Sequence, residues 1–198
     1  VVPGIAQEAP PAATQGQETT IAGFLALNPG WDGVLCLPGR STIWAEVSAD
    51  EVVSFQSFLS GDLVELLTRH SALRDALSDQ AWDDDAFGEA LSDVVSRPER
   101  FGARLSELGA SDLLHGPDQT RRAKLCGYVL GAEFAAARAY WLGRQIALLG
   151  DGGLTEAYAS AFAAQGTPVI RADATRMALA GLTKAYRAFR DAGIKPVD

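Results

Sequence analysis

A glycine-containing turn with hydroxyl and basic side chains separates two apolar segments in the first quarter of the chain. Its sequence is Leu37-Pro38-Gly39-Arg40-Ser41-Thr42. Gly39 would let backbone amides approach an anion closely. Ser41 and Thr42 carry hydroxyl donors, and Arg40 carries a planar cation that suits phosphate. A β-hairpin turn without a ligand would have a similar composition, so the spacing leaves both interpretations open.

A second glycine-rich turn, Leu149-Gly150-Asp151-Gly152-Gly153-Leu154, lies between an apolar strand pattern and the start of a helix pattern. Amides at a helix N-terminus favour anions, and small residues leave room for a flat ring or a pyrophosphate. The turn is neither GxGxxG nor a P-loop. A plain strand–helix turn with Asp151 as the helix cap is therefore the alternative to nucleotide contact.

A lone carboxylate, Glu18, follows Gln17 near the start of the chain, where a helix pattern begins. An acidic residue in the first turn of a helix is also favoured by the helix dipole, so a structural role stays open. The chain contains no Gly-x-Ser-x-Gly, no HExxH and no Cys near a His, so no nucleophile–base pair can be assembled from the sequence.

Other clusters with chemical potential are better explained structurally. The run Asp83–Asp85 precedes an apolar helix pattern and is typical of a helix N-terminus, although three carboxylates could also serve a divalent metal. His70 and His115 have no Cys or second His at metal-binding spacing, which indicates surface or boundary residues. We predict no metal site.

The elements that position these residues form an α/β pattern. Residues 1–17 contain several prolines and are predicted to be a linker or exposed crossover loop. A short helix (18–27) is followed by three strand patterns, 34–37, 43–47 and 52–59, whose tight links predict an antiparallel meander.

A helical segment of about 61–143 follows the meander, with helices predicted at 62–73, 86–95, 98–108 and 117–142. In the last of these, Gly127, Gly131 and Ala135 recur every four residues and predict close helix packing. The order strand (145–149), helix, strand (168–170), helix from Asp173 then indicates two parallel β–α units.

Composition narrows the class of protein. The 198 residues are 47% hydrophobic and 21% charged, with a net charge of −8, which favours a globular domain and argues against nucleic-acid or anionic-membrane partners. Cys36 and Cys126 lie in apolar segments without a CxxC, which favours buried free thiols in a cytoplasmic protein over a disulfide. Because the chain opens Val-Val-Pro-Gly and its one methionine is Met177, we expect a processed or truncated chain.

Taken together, these motifs resemble the C-terminal part of the 2-dehydro-3-deoxygalactonokinase family. The resemblance is carried by Gly16-Gln17-Glu18-Thr19, Leu37-Pro38-Gly39 with Trp44, Ser54-Phe55-Gln56-Ser57-Phe58-Leu59-Ser60-Gly61-Asp62-Leu63, and Leu149-Gly150. The order and spacing hold from Val1 to about Ala188, which corresponds to the second two-thirds of that family's usual length.

The resemblance implies a ribonuclease-H-like lobe of the actin-like sugar-kinase superfamily over residues 18–198, with 1–17 as the connection between lobes. It implies transfer of the γ-phosphoryl group of ATP, with Mg²⁺, to the terminal (C6) hydroxyl of 2-dehydro-3-deoxygalactonate in galactonate catabolism. It also implies an N-terminal lobe outside these residues, so we expect the 198-residue chain alone to lack kinase activity.

Residue roles follow from the same resemblance. Gly39, Arg40, Ser41 and Thr42 resemble the second phosphate loop, and Gly150, Asp151 and Gly152 resemble the adenosine-contacting turn. Gln17 and Glu18 fall where related sugar kinases carry the acidic general base.

The chain also departs from the family pattern. Where that pattern resembles Pro-Gly-Thr-His-x-Lys-Trp, this chain has Arg40, Ser41 and Ile43 in place of the Thr, His and Lys. Gln17 replaces the first Glu of Gly-Glu-Glu-Thr, and an amide cannot accept a proton at neutral pH. These changes leave two interpretations open, a working kinase with a shifted constellation and a degenerate relative that binds nucleotide or sugar acid without phosphotransfer. A third alternative is an α/β interaction domain without a ligand.

Overall fold

A computed structural model describes residues 3–77, 82–116 and 118–192. Its strands are β1 (Ala6–Glu8), β2 (Pro11–Ala13), β3 (Gly33–Leu37), β4 (Thr42–Ser48), β5 (Glu51–Phe58), β6 (Ile146–Leu149) and β7 (Val169–Ala172). Its α-helices are α1 (Gln17–Leu27), α2 (Ser60–His70), α3 (Asp84–Ser96), α4 (Phe101–His115), α5 (Arg121–Ala136), α6 (Arg138–Trp141), α7 (Gly152–Ala164) and α8 (Ala174–Asp191). Two 3₁₀ turns lie at Arg74–Leu77 and Pro98–Arg100.

The main sheet has five strands in the order β5-β4-β3-β6-β7. β4 is antiparallel to both of its neighbours, whereas β3, β6 and β7 run parallel to one another. The α/β class, the antiparallel meander and the two β–α units predicted from the sequence are therefore confirmed. Since β3, β5, β6 and β7 point the same way, they all end at one side of the sheet, which we call the carboxyl edge.

Helices cover both faces of this sheet. On one face α1 and α8 pack over a core that includes Phe24, Leu35 and Met177. On the other face α3, α5 and α7 enclose a second core around Trp44, Phe134 and Phe162. Every residue of the central strands β3 and β6 is buried, as expected for strands covered on both faces.

Glycines allow the closest helix contacts. A Cβ on Gly127 would lie 2.6 Å from the carbonyl oxygen of Phe87, and one on Gly131 would lie 2.8 Å from that of Leu91. The stripe Gly127–Gly131 thus packs α5 directly against α3, which confirms the predicted close helix contact. On the opposite face, a Cβ on Gly23 would meet the carbonyl of Met177.

Two local features differ from the patterns expected from the sequence. Part of the proposed 1–17 linker forms the β1–β2 hairpin, because Thr14 closes it: its N–H donates to the Ile5 carbonyl and its hydroxyl accepts from the Ile5 N–H, each at 2.9 Å. The helix predicted from 117 begins only at Arg121, since Asp118 accepts bonds from the Thr120 N–H and hydroxyl in a local turn. Pro117 lies outside the described residues.

Candidate functional site

The two glycine turns leave the sheet side by side. β3 and β6 are adjacent and parallel, with Cys36 opposite Leu148, and each strand ends one residue later, at Leu37 and Leu149. From there the chain turns toward β4 on one side and toward α7 and β7 on the other. In open α/β sheets, ligands bind where the connections that follow neighbouring parallel strands diverge; we call the space between the two turns at this position the crevice.

The first turn rests on the start of α2. A Cβ on Gly61 would lie 2.2 Å from the carbonyl oxygen of Gly39 and 3.1 Å from the Cα of Arg40, so only glycine allows this approach. The Asp62 N–H donates to the Arg40 carbonyl at 3.0 Å. The backbone of the turn is thereby attached to a helix that begins at the same edge.

Arg40 projects outward from this turn. Its side chain is 80% exposed, and its Nε and Nη2 donate to Oδ1 of Asp62 at 2.8 and 2.6 Å. This carboxylate raises the pKa of Arg40 through the hydrogen bonds and its charge. The guanidinium is accessible to an anion, and Asp62 fixes its direction. Ser41 is partly buried beside it.

Thr42 differs from its neighbours because its side chain points into the core. The residue is fully buried, and its hydroxyl lies 2.8 Å from the hydroxyl of Tyr158 on α7. The bond connects the last residue of one turn to the helix that follows the other. The Thr42 hydroxyl is therefore directed away from the crevice.

A carboxylate lies at the centre of this buried network. Glu133 of α5 is 3% exposed; its Oε1 accepts from the Trp44 indole N–H at 2.6 Å, and both oxygens lie 2.8 Å from the Tyr158 hydroxyl. Burial raises the pKa of Glu133, against the opposing effect of its hydrogen bonds, the first of them from Ser60. Burial and the neighbouring Glu133 likewise raise the pKa of Tyr158.

Sequence reasoning missed this network. Tyr158 reads as one member of the apolar stripe of α7, and Trp44 as the outer side of an alternating strand. Glu133 was the available signal, because it is the one acidic residue between Lys124 and Asp151. Ionisable groups are rarely buried without partners, so a carboxylate in such an apolar run points to a polar network.

The second turn has an open side at the start of α7. The Gly150 N–H donates to the Ala172 carbonyl at 3.2 Å, while Gly152 adopts φ +80° and has open space where a Cβ would be. Asp151 is exposed and precedes the helix, but its side chain makes no capping hydrogen bond. The Asp151 side chain therefore does not cap the helix, contrary to the alternative interpretation. Its carboxylate lies 3.5 Å from the Thr175 hydroxyl.

A cavity of about 550 Å³ lies next to this turn. It runs between α2 and the start of α7, and α5 forms its base. Its lining combines small and apolar residues with charged and aromatic groups: Gly61, Val64, Glu65, Thr68, Arg69, Trp82, Arg122, Cys126, Gly153, Leu154 and Ala157. The shape and lining are typical of a small-molecule site. Trp82 and Arg122, which the sequence analysis did not single out, belong to it.

Glu18 and Gln17 occupy the first turn of α1. Oε2 of Glu18 accepts from the Gly16 N–H at 2.9 Å, and Oε1 of Gln17 accepts from the Gln15 N–H at 2.6 Å. Residues 28–32 join the last turn of α1 to the amino end of β3. The first turn of α1, which carries Gln17 and Glu18, is therefore at the opposite end of the helix from that connection. Both side chains are partly exposed.

The remaining candidates have structural roles. Asp83 caps α3, accepting from the Ala86 N–H at 2.8 Å, which confirms the capping interpretation. His70 and His115 are exposed at helix ends. Cys36 and Cys126 are buried free thiols, as predicted. Within 3–77, 82–116 and 118–192, no three His, Cys, Asp or Glu residues are grouped so that they could hold a metal ion.

No helix in the described part of the chain is both long and apolar enough to cross a bilayer.

Comparisons with known proteins agree with one another. The family model for 2-keto-3-deoxy-galactonokinase matches residues 1–185. A probable 2-dehydro-3-deoxygalactonokinase of Rhizobium meliloti (strain 1021) is 32% identical over 195 residues, covering 95% of this chain and 64% of the relative. The 2-dehydro-3-deoxygalactonokinase of Escherichia coli (strain K12) is 31% identical over 157 residues, covering 78% of this chain and 53% of the relative.

A solved structure has the same fold. It is the crystal structure of a Sinorhizobium meliloti protein provisionally assigned as a 2-dehydro-3-deoxygalactonokinase, with a TM-score of 0.87, 32% identity and coverage of 94% of this chain and 64% of that one. The chain thus spans less than two thirds of the length of these relatives. With a model match over nearly its whole length and these relatives above 30% identity, the chain belongs to the 2-keto-3-deoxy-galactonokinase family.

Proposed function

We propose that this chain forms the nucleotide-binding lobe of a sugar-acid kinase that transfers the γ-phosphoryl group of ATP to the C6 hydroxyl of 2-dehydro-3-deoxygalactonate. The observation that carries the proposal is the shared carboxyl edge, where the turns after Leu37 and Leu149 leave adjacent parallel strands. Family membership supports the same reaction. The meander followed by two β–α units supports a ribonuclease-H-like lobe.

In this proposal the turn Gly39–Thr42 receives the β- and γ-phosphates. Arg40 supplies an exposed guanidinium, which binds phosphate with paired N–H donors. Gly39 keeps its backbone open to an anion, and Ser41 adds a hydroxyl. Since the Thr42 hydroxyl is bonded to Tyr158, Thr42 contributes its backbone position and not a phosphate contact.

Adenosine is assigned to the second turn and the cavity beside it. Gly150, Asp151 and Gly152 border the open start of α7, where free amides favour an electron-rich ligand. The 550 Å³ cavity has an aromatic wall at Trp82 and a cation at Arg122. A purine is flat and polar at its edges, so it matches a cavity with this combination of groups.

Glu18 is the proposed general base. As the C6 hydroxyl attacks the γ-phosphorus, its proton must pass to an acceptor, and a carboxylate can fill that role. Catalysis of phosphoryl transfer depends mainly on positioning and on electrostatic stabilisation of the phosphates, which the turn at Gly39 would supply. Gln17 cannot accept the proton and is assigned a supporting position beside Glu18.

Magnesium enters this proposal as part of the substrate, Mg·ATP. The described residues hold no group of three or more His, Cys, Asp or Glu side chains that could bind a metal ion, and Asp62, beside the first turn, is bonded to Arg40. Mg²⁺ commonly keeps several waters and binds through substrate phosphates and one or two carboxylates. We assign it no ligand from this chain.

The test measures binding and turnover in the full-length protein. Calorimetry with ATP, AMP and adenosine should show that the protein binds ATP. A coupled assay with 2-dehydro-3-deoxygalactonate and Mg·ATP should show that the sugar acid is phosphorylated. Glu18→Gln should lower kcat by about 100-fold or more while ATP affinity stays unchanged, given the usual contribution of a general base. Glu51→Gln, an exposed change at the start of β5, is the matched control.

The outcomes separate the alternatives. ATP binding without turnover would support a degenerate relative, an outcome consistent with the buried Ile43 at the position of the family's Lys. No binding of any nucleotide would overturn the nucleotide site. We propose that kinase activity also needs an N-terminal lobe, which corresponds to the part of the relatives outside the matched segment. Turnover by the 198-residue chain alone would contradict this proposal.

A further inference from the structure

Three buried polar side chains connect the two turns at the carboxyl edge. Thr42, Tyr158 and Glu133 are each at most 3% exposed, and their polar atoms follow one another at 2.8 Å. They come from β4, α7 and α5, so three separate elements meet at these bonds. The Trp44 indole N–H adds a fourth contact at 2.6 Å.

The carboxylate sets the direction of the hydrogen bonds. The Trp44 N–H can only donate, and an ionised carboxylate can only accept. The Tyr158 hydroxyl has one proton, which it donates to Glu133, so its oxygen is left to accept from the Thr42 hydroxyl. The direction of donation therefore runs from Thr42 to Tyr158 to Glu133, and each hydroxyl has a defined orientation.

Thr42 is the residue through which this network reaches the first turn. It directly follows Ser41 and pairs with Phe58 as the first residue of β4. On its other side the turn is held by the bond from the Asp62 N–H to the Arg40 carbonyl. The Thr42 hydroxyl thus adds a side-chain attachment to the backbone pairing with Phe58 and to the contacts that the turn makes with the start of α2.

We infer that Glu133 and Tyr158 are positioning residues, which through Thr42 hold the turn Gly39–Thr42 in the geometry that binds the ATP phosphates. The inference rests on the proposed function. Both side chains are buried, and their connection to the turn runs through the Thr42 hydroxyl. Preorganised donors stabilise charge without the cost of reorganising at each turnover, which is the benefit a fixed turn would bring.

The first experiment needs no nucleotide. Hydrogen exchange in the full-length protein compares Tyr158→Phe, which keeps the ring and removes only the hydroxyl, with the unmodified protein. Amides of residues 39–42 should exchange at least about fivefold faster, while those of 150–153 stay unchanged. Tyr140→Phe is the matched control, because it removes a similar hydroxyl contact, to Ser54 at 3.4 Å, on the meander away from the turn.

The second experiment measures affinity. In Tyr158→Phe and in Thr42→Val, the Kd for ATP should rise by up to about tenfold, which is reached if the whole free energy of one internal hydrogen bond is lost from binding, while the Kd for adenosine changes less than twofold. The double variant should bind ATP no more weakly than Tyr158→Phe alone, since Tyr158→Phe already breaks the Thr42–Tyr158 bond that Thr42→Val removes. A merely structural role would weaken ATP and adenosine equally.

The two experiments separate failure of the inference from failure of the proposed function. Unchanged exchange at 39–42 in Tyr158→Phe would overturn the positioning role even if ATP binds normally. Faster exchange in Tyr158→Phe, together with no ATP binding by the unmodified protein, would overturn the proposed function and with it the phosphate-binding purpose of the network. Faster exchange together with selective loss of ATP affinity supports both.

Discussion

Arg40 and Asp62 hold each other through both backbone and side chain. The Asp62 N–H donates to the Arg40 carbonyl at 3.0 Å, and the Arg40 guanidinium donates twice to Oδ1 of Asp62. The turn and the start of α2 therefore form one unit. An anion in the crevice must either share the guanidinium with Asp62 or displace that carboxylate.

The first prediction concerns this competition. Arg40→Gln should raise the Kd for ATP about tenfold and leave that for AMP within twofold, because only ATP carries phosphates that reach the guanidinium. Asp62→Asn should lower the Kd for ATP, since it removes a competing negative charge. Calorimetry measures both changes. Arg190→Gln, which breaks an exposed pair with Asp191, is the control, and equal weakening of ATP and AMP by Arg40→Gln would rule out the phosphate contact.

Local pattern was sufficient to predict the main elements. The alternation in 43–47 and the apolar runs in 34–37 and 145–149 correspond to β4, β3 and β6 to within a residue or two. The order β–α–β also predicts the parallel pairing of β6 with β7, whereas the pairing of β3 with β6, which brings the two glycine turns to one edge, joins distant segments. Periodicity and turn residues are local signals, and the elements themselves depend on little else.

Contacts between distant segments could not be predicted in this way. Glu133 lies 89 residues from Trp44, and Thr42 lies 116 residues from Tyr158, so no local pattern indicates that they meet. The same reason explains why Thr42 was assigned to phosphate binding: its hydroxyl suits an anion chemically, and only its orientation in the fold directs it to the core.

The second prediction tests the packing of the turn on α2. A Cβ on Gly61 would lie 2.2 Å from the Gly39 carbonyl oxygen, so Gly61→Ala must displace backbone. We expect a loss of stability of about 1–3 kcal/mol and weaker ATP binding. Gly88→Ala on α3 is the control, because a Cβ there meets nothing within 4 Å and helix propensity favours Ala by up to about 1 kcal/mol.

Urea unfolding and calorimetry with ATP measure the two effects of Gly61→Ala. If it unfolds at the same urea concentration as the unmodified protein and binds ATP equally well, the close contact between the turn and α2 has no role in either property.

The third prediction uses Cys126 as a reporter of the adenosine cavity. Burial raises the pKa of this thiol to about 11, so it is a poor nucleophile at neutral pH, yet it lines the cavity. Slow alkylation by a maleimide, followed by mass spectrometry, should become slower still when adenosine is added. Cys36 is fully buried and does not line the cavity. Its alkylation rate therefore measures how often the whole fold opens.

The ratio of the two alkylation rates therefore isolates the local effect. Adenosine should lower the rate at Cys126 relative to that at Cys36 by about tenfold at saturation. A constant ratio would mean that adenosine, if it binds, stabilises the whole fold from another site.

The last prediction concerns the pH dependence of stability contributed by Glu133. Burial raises the pKa of this carboxyl above its usual 4.5, so the folded state binds a proton more tightly than the unfolded state does. Its contribution to the free energy of unfolding is then fully present below about pH 4.5 and decreases as the pH rises through the raised value. The decrease is at most about 1.4 kcal/mol per pH unit, the value for one proton.

The difference in unfolding free energy between the unmodified protein and Glu133→Gln isolates this contribution, because other titrating groups cancel. Urea unfolding should show that difference falling as pH increases above 4.5. Glu156→Gln is a control of opposite sign: Arg171 lowers the pKa of Glu156, so that carboxylate stabilises the fold above its unfolded pKa and loses this effect as pH falls. A Glu133 difference that rises with pH would mean that its hydrogen bonds outweigh the cost of burying the charge.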